Sequence, residues 1–236
     1  MIQPELEPSN KEAVASLSNG RLAERLRGFG PLGIFAILII LAGNLLLAPL
    51  SAILVLVWAW RSRTPWREIG YTHPSSWSRS ILIGVVFGCA FKFLMKIMVM
   101  PLLGASPVNQ AYHSLAGNRA AIPGTILTLI VVAAFGEETL FRGYMFERLG
   151  KLLGGSVGAR TSIVLLTSLL FGLAHFPDQG LPGVEQAIFT GLAFGTIFAF
   201  TRRIWMPMFA HAAFDLTAYA LIYWNLETRV AHLLFR

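Results

Sequence analysis

Charged residues are scarce in this chain of 236 residues. Only 13% are Asp, Glu, Lys or Arg, while 55% are hydrophobic and the mean hydropathy is +0.63. A soluble domain carries about 25% charged residues, so the composition excludes an ordinary soluble protein. The apolar residues fall into long runs, each near the roughly 20 residues that a membrane-spanning helix needs. The sequence predicts a multi-pass integral membrane protein.

Cysteine and the common nucleophile motifs are also lacking. Cys89 is the single cysteine, so no disulfide can form within the chain, and its apolar surroundings indicate a small core residue. No G-x-S-x-G elbow is present, which disfavours a serine nucleophile. The H-E-x-x-H helix of common zinc proteases is absent as well.

Six apolar segments predict an all-α bundle of about six transmembrane helices, because the bilayer core offers backbone groups no water to bond. They cover residues 31–60, 81–103, 122–149, 161–176, 184–201 and 204–224. The first contains Gly43, Asn44 and Pro49; it is either one strongly tilted helix or a helix with a break, and it is too short for two full spans.

One domain is expected, since no internal repeat or second soluble region is visible. Residues 1–30 are predicted to be an N-terminal arm that ends in a short amphipathic helix at 21–27. The transmembrane domain covers 31–225, with a motif-bearing core at 122–224, and 226–236 form a C-terminal tail.

The net charge of +7 does not indicate a nucleic-acid partner. No aromatic-basic module or zinc spacing accompanies it. The basic residues are concentrated in the loops after the first, third and fifth segments, as is typical of cytoplasmic loops. The basic N-terminal arm contradicts this simple alternation, because it would then lie outside. Two small-residue pairs, Gly84 with Gly88 and Gly191 with Gly195, predict close helix packing.

Two adjacent glutamates, Glu137 and Glu138, lie with Arg142 in the third apolar segment. Even the gentlest insertion scales assign about 2.5–3.5 kcal/mol to one ionised side chain at a helix centre. Glu138 and Arg142 are four residues apart and are well placed to pair, while Glu137 is rotated by about 100°. The free glutamate would face a cavity, where low dielectric strengthens proton binding and suits a general base. The alternative is a buried ion-pair triad that only ties helices together.

Further polar residues occur in the fourth and sixth segments. His175 ends the fourth segment, while His211 and Asp215 are four residues apart in the sixth and share a helix face. Each alone is more typical of a structural hydrogen bond than of catalysis. Six such polar groups on three helices cost the least free energy in a bilayer when they face one interior cavity.

This inventory fits two chemistries. Glu and His can activate water while other groups stabilise an oxyanion, which gives peptide hydrolysis. Alternatively, Glu137, His175, His211 and Asp215 could ligate a divalent metal such as zinc. Lys92 and Lys96, also four residues apart, are expected to be structural, either snorkelling to an interface or pairing with an acid.

The motifs resemble a known family when they are taken together and in order. They are Glu137-Glu138-x-x-x-Arg142, Phe171-x-x-x-His175 and His211-x-x-x-Asp215. This pattern is similar to that of the CAAX protease and bacteriocin-processing (CPBP) family of intramembrane endopeptidases, which includes the type II CAAX prenyl endopeptidases. The resemblance covers about residues 122–224.

The resemblance implies a helical bundle with an intramembrane catalytic cavity, in a bacterial or archaeal cell membrane. Glu137 would be the general base, and His175 would help to hold and polarise the water. Glu138 and Arg142 would pair, and His211 and Asp215 would take the oxyanion-stabilising positions.

Asp215 departs from the best-understood members, which have Asn at this position. An ionised Asp cannot donate a hydrogen bond to an oxyanion. It must therefore be protonated, orient His211 or bind a metal.

We therefore expect an intramembrane endopeptidase whose partners are the lipid bilayer and a peptide or protein substrate with a scissile bond near the membrane. The family has been described both as metalloproteases and as glutamate-dependent proteases, and both mechanisms stay open for this chain. The rivals are a catalytically silent binding or immunity protein on the same fold and a proton-coupled transporter that uses the buried acids as a relay.

Overall fold

The protein is described here by a computed structural model that covers residues 10–46 and 48–235; residues 1–9 of the predicted arm lie outside these ranges. All regular structure in the described residues is helical, which confirms the all-α prediction. The principal helices are α1 (Asn10–Arg27), α2 (Pro31–Leu46), α3 (Ala48–Arg61), α4 (Trp77–Leu102), α5 (Arg119–Leu153), α6 (Val157–Ala174), α7 (Phe176–Thr201), α8 (Trp205–Tyr223) and α9 (Glu227–Ala231).

Four of these helices, α4, α5, α6 and α7, are each long and apolar enough to cross a membrane. A fifth span results if the end of α1 and most of α2, which meet at a bend of 63°, are taken as one. α8 has 19 residues and packs against α4 and the middle of α5. The protein is a multi-pass integral membrane protein, and the predicted number of six spans is approximate.

The first predicted segment is broken into α2 and α3, which fold back on each other. A Cβ placed on Gly43 of α2 would lie 3.0 Å from Leu54 Cδ1 of α3. Near the end of α3, the Trp58 indole N–H donates to the Leu26 carbonyl at 3.1 Å. At 16 residues, α2 is roughly 24 Å long, less than the roughly 30 Å of a bilayer core. The break is therefore confirmed, and the single tilted helix is wrong.

This hairpin returns the chain to the face from which it entered. The Arg148 side chain, near the end of α5, donates to the Arg27 carbonyl at 2.9 Å. Lys151 pairs with Glu68 of the first loop at 3.4 Å, and Arg202 at the end of α7 interacts electrostatically with Glu68. The end of α1 and the loops after α3, α5 and α7 thus share one face, here called the basic face. The basic end of the N-terminal arm therefore lies on the same side as the basic loops, and it no longer contradicts the predicted orientation.

Tryptophans line the basic face. The Trp77 and Trp205 rings are in edge contact at 5.0 Å between centroids, and Tyr71 contacts Trp66 and Trp205 at 6.0 and 5.4 Å. Such amphipathic rings prefer the headgroup layer of a membrane. The cluster therefore marks the bilayer boundary on the basic face.

The predicted small-residue pairs allow close contact between helix backbones. A Cβ on Gly88 of α4 would lie 2.1 Å from the Ala210 carbonyl oxygen of α8. A Cβ on Gly191 of α7 would lie 2.9 Å from Ser168 Cα of α6. Both distances are too short for any larger residue without backbone movement, which confirms the structural interpretation of these glycines.

Replacing Gly88 should destabilise the protein through the α4–α8 contact. We expect Gly88→Ala to lower the free energy of unfolding by about 1–3 kcal/mol, the usual cost of overpacking. Thermal unfolding of the purified protein in detergent, followed by tryptophan fluorescence, measures this. Gly158→Ala in α6 is the matched control, because its Cβ would meet open space. Equal melting temperatures for the two variants would contradict the assignment.

Candidate active site

The paired glutamates lie where α5 departs from α-helical geometry. The helix is π-helical over Thr128–Glu137 and again over Thr139–Tyr144. In such turns each N–H bonds to the carbonyl five residues back, which widens the helix, and they occur frequently at functional sites. Gly143 lies beside the Ile69 backbone near the tryptophan cluster, and Glu137 is six residues, roughly 9 Å of helix, deeper.

Glu138 is the centre of a fully buried ion network. Its Oε1 lies 2.9 Å from Arg142 Nη1, which confirms the predicted pairing. The same oxygen accepts a hydrogen bond from His211 Nδ1 of α8, also at 2.9 Å. The exposed fractions of Glu138, Arg142 and His211 are 0%, 1% and 5%. Glu138 therefore links α5 to α8, and its charge is compensated.

Aromatic rings from two other helices enclose the guanidinium of Arg142. Its Cζ lies 4.6 Å from the ring centre of Phe171 in α6 and 5.7 Å from that of Phe194 in α7. Both distances are in the range of cation–π attraction. Phe194 also contacts the His211 ring, at 5.5 Å between centroids. The ion network therefore joins α5, α6, α7 and α8.

Glu137 has a different environment from its neighbour. Its side chain is 18% exposed, and Oε2 lies 3.7 Å from His211 Nε2, beyond hydrogen-bond distance. This oxygen is buried and accepts no hydrogen bond from any residue in the described part of the chain. Glu137 interacts electrostatically with His175, His211 and Asp215. Glu137 is therefore the glutamate whose carboxylate is not held by the ion network and can contact a water molecule or a substrate.

His175 follows α6 and is half-buried. Its Nδ1 is 2.8 Å from the Phe171 carbonyl oxygen. Because a carbonyl only accepts hydrogen bonds, Nδ1 carries the hydrogen. Nε2 is then the ring atom that remains for a water or a substrate. The structure thus brings His175 near Glu137, although the two residues are 38 positions apart in the chain.

Asp215 lies one helical turn beyond His211 in α8. Its Oδ2 is 3.4 Å from His211 Nε2, and the side chain is 22% exposed. The two nitrogens of His211 therefore face different carboxylates, Nδ1 towards Glu138 and Nε2 towards Asp215. This geometry fits the second of the three predicted alternatives, in which Asp215 orients His211.

The candidate ligands do not form a metal site as they are placed. Among the described residues, no group of three His, Cys, Asp or Glu side chains is arranged to hold a metal ion. His211 Nδ1 is engaged by Glu138, while its Nε2 lies 3.4 Å from Asp215 Oδ2 and 3.7 Å from Glu137 Oε2. The alternative in which Glu137, His175, His211 and Asp215 are metal ligands therefore stays a prediction, beside the glutamate-type alternative.

The sequence did not point to one further residue that lies near the site. Tyr112, in the loop between α4 and α5, is hydrogen-bonded to the Gln179 side chain and interacts with Asp178, Asp215 and Glu137. Burial, reinforced by these carboxylates, raises the pKa of the Tyr112 hydroxyl and keeps it protonated. Nothing in the local sequence distinguishes Tyr112 from an ordinary loop tyrosine.

The different partners of the two glutamates predict different stabilities for matched variants. Glu138→Gln leaves Arg142 buried without its anion, and breaking a buried pair in this way costs about 3–5 kcal/mol. Glu137→Gln removes a carboxylate whose nearest basic atom, His211 Nε2, is 3.7 Å away, so its unfolding free energy should stay within about 1 kcal/mol of wild type. Thermal unfolding in detergent compares the two. A larger loss for Glu137→Gln would reverse the assignment.

Comparisons with known proteins show similarity in the part of the chain that contains the site. Residues 119–217, from the start of α5 into α8, match the family "Type II CAAX prenyl endopeptidase Rce1-like" and contain all six predicted site residues. The chain is 30% identical over 96 residues to "Putative membrane peptidase YdiL" of Bacillus subtilis (strain 168). This alignment covers 39% of the chain and 34% of the relative, so the chain matches about a third of that protein's length. No solved structure matches. The resemblance seen in the motifs is confirmed for residues 119–217, which are similar to the Rce1-like type II CAAX prenyl endopeptidase family.

Proposed function

We propose that this protein is an intramembrane endopeptidase that hydrolyses a peptide bond with water activated by Glu137 and His175. One observation carries the proposal above all. Of two adjacent buried glutamates, Glu138 has two basic partners within 3 Å, whereas Glu137 has none within hydrogen-bond distance among the described residues. A carboxylate that lies near two histidines and has no basic partner within hydrogen-bond distance is suited to act as a general base.

In the first step, Glu137 takes a proton from a water molecule while the water oxygen attacks the carbonyl carbon of the scissile bond. His175 Nε2 holds the same water, because Nδ1 is bonded to the Phe171 carbonyl. A tetrahedral intermediate forms with its negative charge on the former carbonyl oxygen. The proton on Glu137 then passes to the leaving nitrogen as the C–N bond breaks, which gives a carboxylic acid and an amine.

His211 is positioned to stabilise the oxyanion. Glu138 holds its Nδ1–H, which fixes the ring orientation, and Nε2 faces the space between Glu137 and Asp215. A hydrogen on Nε2 can be shared between Asp215 and the developing oxyanion. A donor fixed in this way contributes to catalysis because it needs no reorganisation in the transition state.

The substrate class that fits is a peptide or protein segment whose scissile bond reaches the membrane. The site lies roughly 9 Å beyond the tryptophan cluster of the basic face, so a soluble folded domain cannot reach it without an extended segment. The name of the matched family refers to prenylated CAAX tails. A tail of this kind, with or without a prenyl group, is the substrate with which to begin.

The proposal is tested with purified protein in detergent and a library of tail peptides. Glu137→Gln keeps the shape of the side chain and removes the base, so kcat should fall by about 10²–10⁴-fold, the usual contribution of general-base catalysis. His175→Gln should also lower kcat. Both variants should elute from size exclusion as wild type does. Unchanged cleavage by Glu137→Gln would refute the mechanism, and cleavage of no peptide by wild type would favour the catalytically silent rival.

Metal chelation tests the choice of mechanism separately. No step above passes through a metal, so we expect an unchanged cleavage rate after prolonged treatment with a chelator and no stoichiometric metal in elemental analysis. Loss of activity that zinc restores would instead assign Glu137, His175, His211 and Asp215 as ligands.

A further inference from the structure

A cavity lined by both polar and apolar residues lies near the site, on the side away from the basic face. It has a volume of about 150 Å³ and lies between α4, α7, α8 and the loop after α4. Its lining includes Lys92, Lys96, Gln179, Gln186 and Ala218. Ala218 is three residues after Asp215, so the cavity begins one helical turn from the site.

The two lysines of this cavity are compensated differently. Lys96 Nζ pairs with Glu227 of α9 at 3.0 Å and donates to the Pro107 carbonyl, which confirms the predicted pairing with an acid. Lys92 Nζ donates to Gln186 Oε1 at 2.8 Å and lies 4.8 Å from the centre of the Phe214 ring. Neither of these partners carries a negative charge.

Lys92 is therefore a buried cation without a counterion in contact. It is 6% exposed, and no carboxylate of the described residues lies within 4.0 Å of it. Asp215 interacts with it electrostatically from a greater distance. A buried charge is costly unless it is paired. Its place at the wall of a cavity beside the site indicates that an anion is supplied from outside the protein.

We infer that Lys92 binds a carboxylate of the peptide substrate in this cavity. This inference rests on the proposed function, since the carboxylate would belong to a peptide that lies across Glu137. One or two residues of extended chain, at about 3.3–3.6 Å each, cover the helical turn between Asp215 and the cavity. Gln179 and Gln186 line the same space and offer amide N–H groups to a carboxylate. The carboxylate is either the C-terminal one or that of an Asp or Glu side chain.

Peptide variants and lysine variants test this together. The best-cleaved peptide of the library is compared with its C-terminal amide and with a version in which each Asp or Glu becomes Asn or Gln. For wild type, one replacement should lower kcat/KM by about tenfold or more, as expected for loss of a charge-assisted hydrogen bond. Which replacement does so identifies the source of the carboxylate.

Lys92→Met should lower kcat/KM for the parent peptide by a similar factor and leave the neutralised peptide unaffected, whereas Lys92→Arg should keep most of the discrimination. Lys151→Met is the control, because that lysine lies on the basic face and does not line the cavity. It should preserve the ratio between the two peptides. An equal loss on both peptides with Lys92→Met would overturn the inference and leave Lys92 as electrostatic support for Asp215.

A binding measurement separates this inference from the proposed function. The Glu137→Gln variant should bind the parent peptide about tenfold more tightly than the neutralised one, and the added Lys92→Met change should abolish the difference. Equal binding of both peptides would overturn the inference even if wild type cleaves them. Cleavage of neither peptide by wild type, with the binding preference intact, would refute only the proposed function.

Discussion

The buried carboxylate of Glu138 connects the helices that form the candidate active site. It pairs with Arg142 one turn along its own helix and accepts a hydrogen bond from His211 of α8. Arg142 in turn lies between aromatic rings of α6 and α7. Charges inside a bilayer are tolerated when they face the interior and pair with one another. The contacts of Glu138 and Arg142 thus connect four helices, α5, α6, α7 and α8.

This network also determines what the adjacent residue can do. Arg142 and the Nδ1 side of His211 both contact Glu138 Oε1 at 2.9 Å, whereas the nearest basic atom to Glu137, His211 Nε2, is 3.7 Å away. Adjacent glutamates on a widened helix therefore acquire unequal roles, one structural and one available to a water molecule. The asymmetry comes from the partners rather than from the residue type. Under the proposed function, the glutamate without a close basic partner is the one that acts as the base.

The location of the site relative to the bilayer follows from the surrounding elements. The tryptophan cluster on the basic face marks one boundary, and the cavity lined by Lys92 lies on the opposite side of the glutamates. Tyr112 and Gln179 lie near the carboxylates from the same side. A peptide that reached Glu137 from this side would pass Lys92, Gln179 and Gln186, which line the cavity.

Local spacing predicted the parts of this arrangement that lie within one helix. Four-residue separation was enough to pair Glu138 with Arg142 and to place His211 on the same face as Asp215. Contacts between helices could not be predicted in this way. The position of α8 along α5 determines that His211 Nδ1 contacts Glu138, and spacing within one helix does not specify that position. Gly43 and Pro49 indicated a break in the first segment, but not that α3 returns along α2. Likewise, Lys96 finds its acid 131 positions away, in a tail that the sequence left unassigned.

The unequal roles of the two glutamates can be seen most directly in an experimental structure at a resolution that places water molecules. If Glu137 is the base, an ordered water will lie within hydrogen-bond distance of both Glu137 Oε2 and His175 Nε2, while Glu138 remains between Arg142 and His211. A structure with Glu137 in the ion pair with Arg142, or with a metal ion bound by Glu137 and the two histidines, would contradict the assignment.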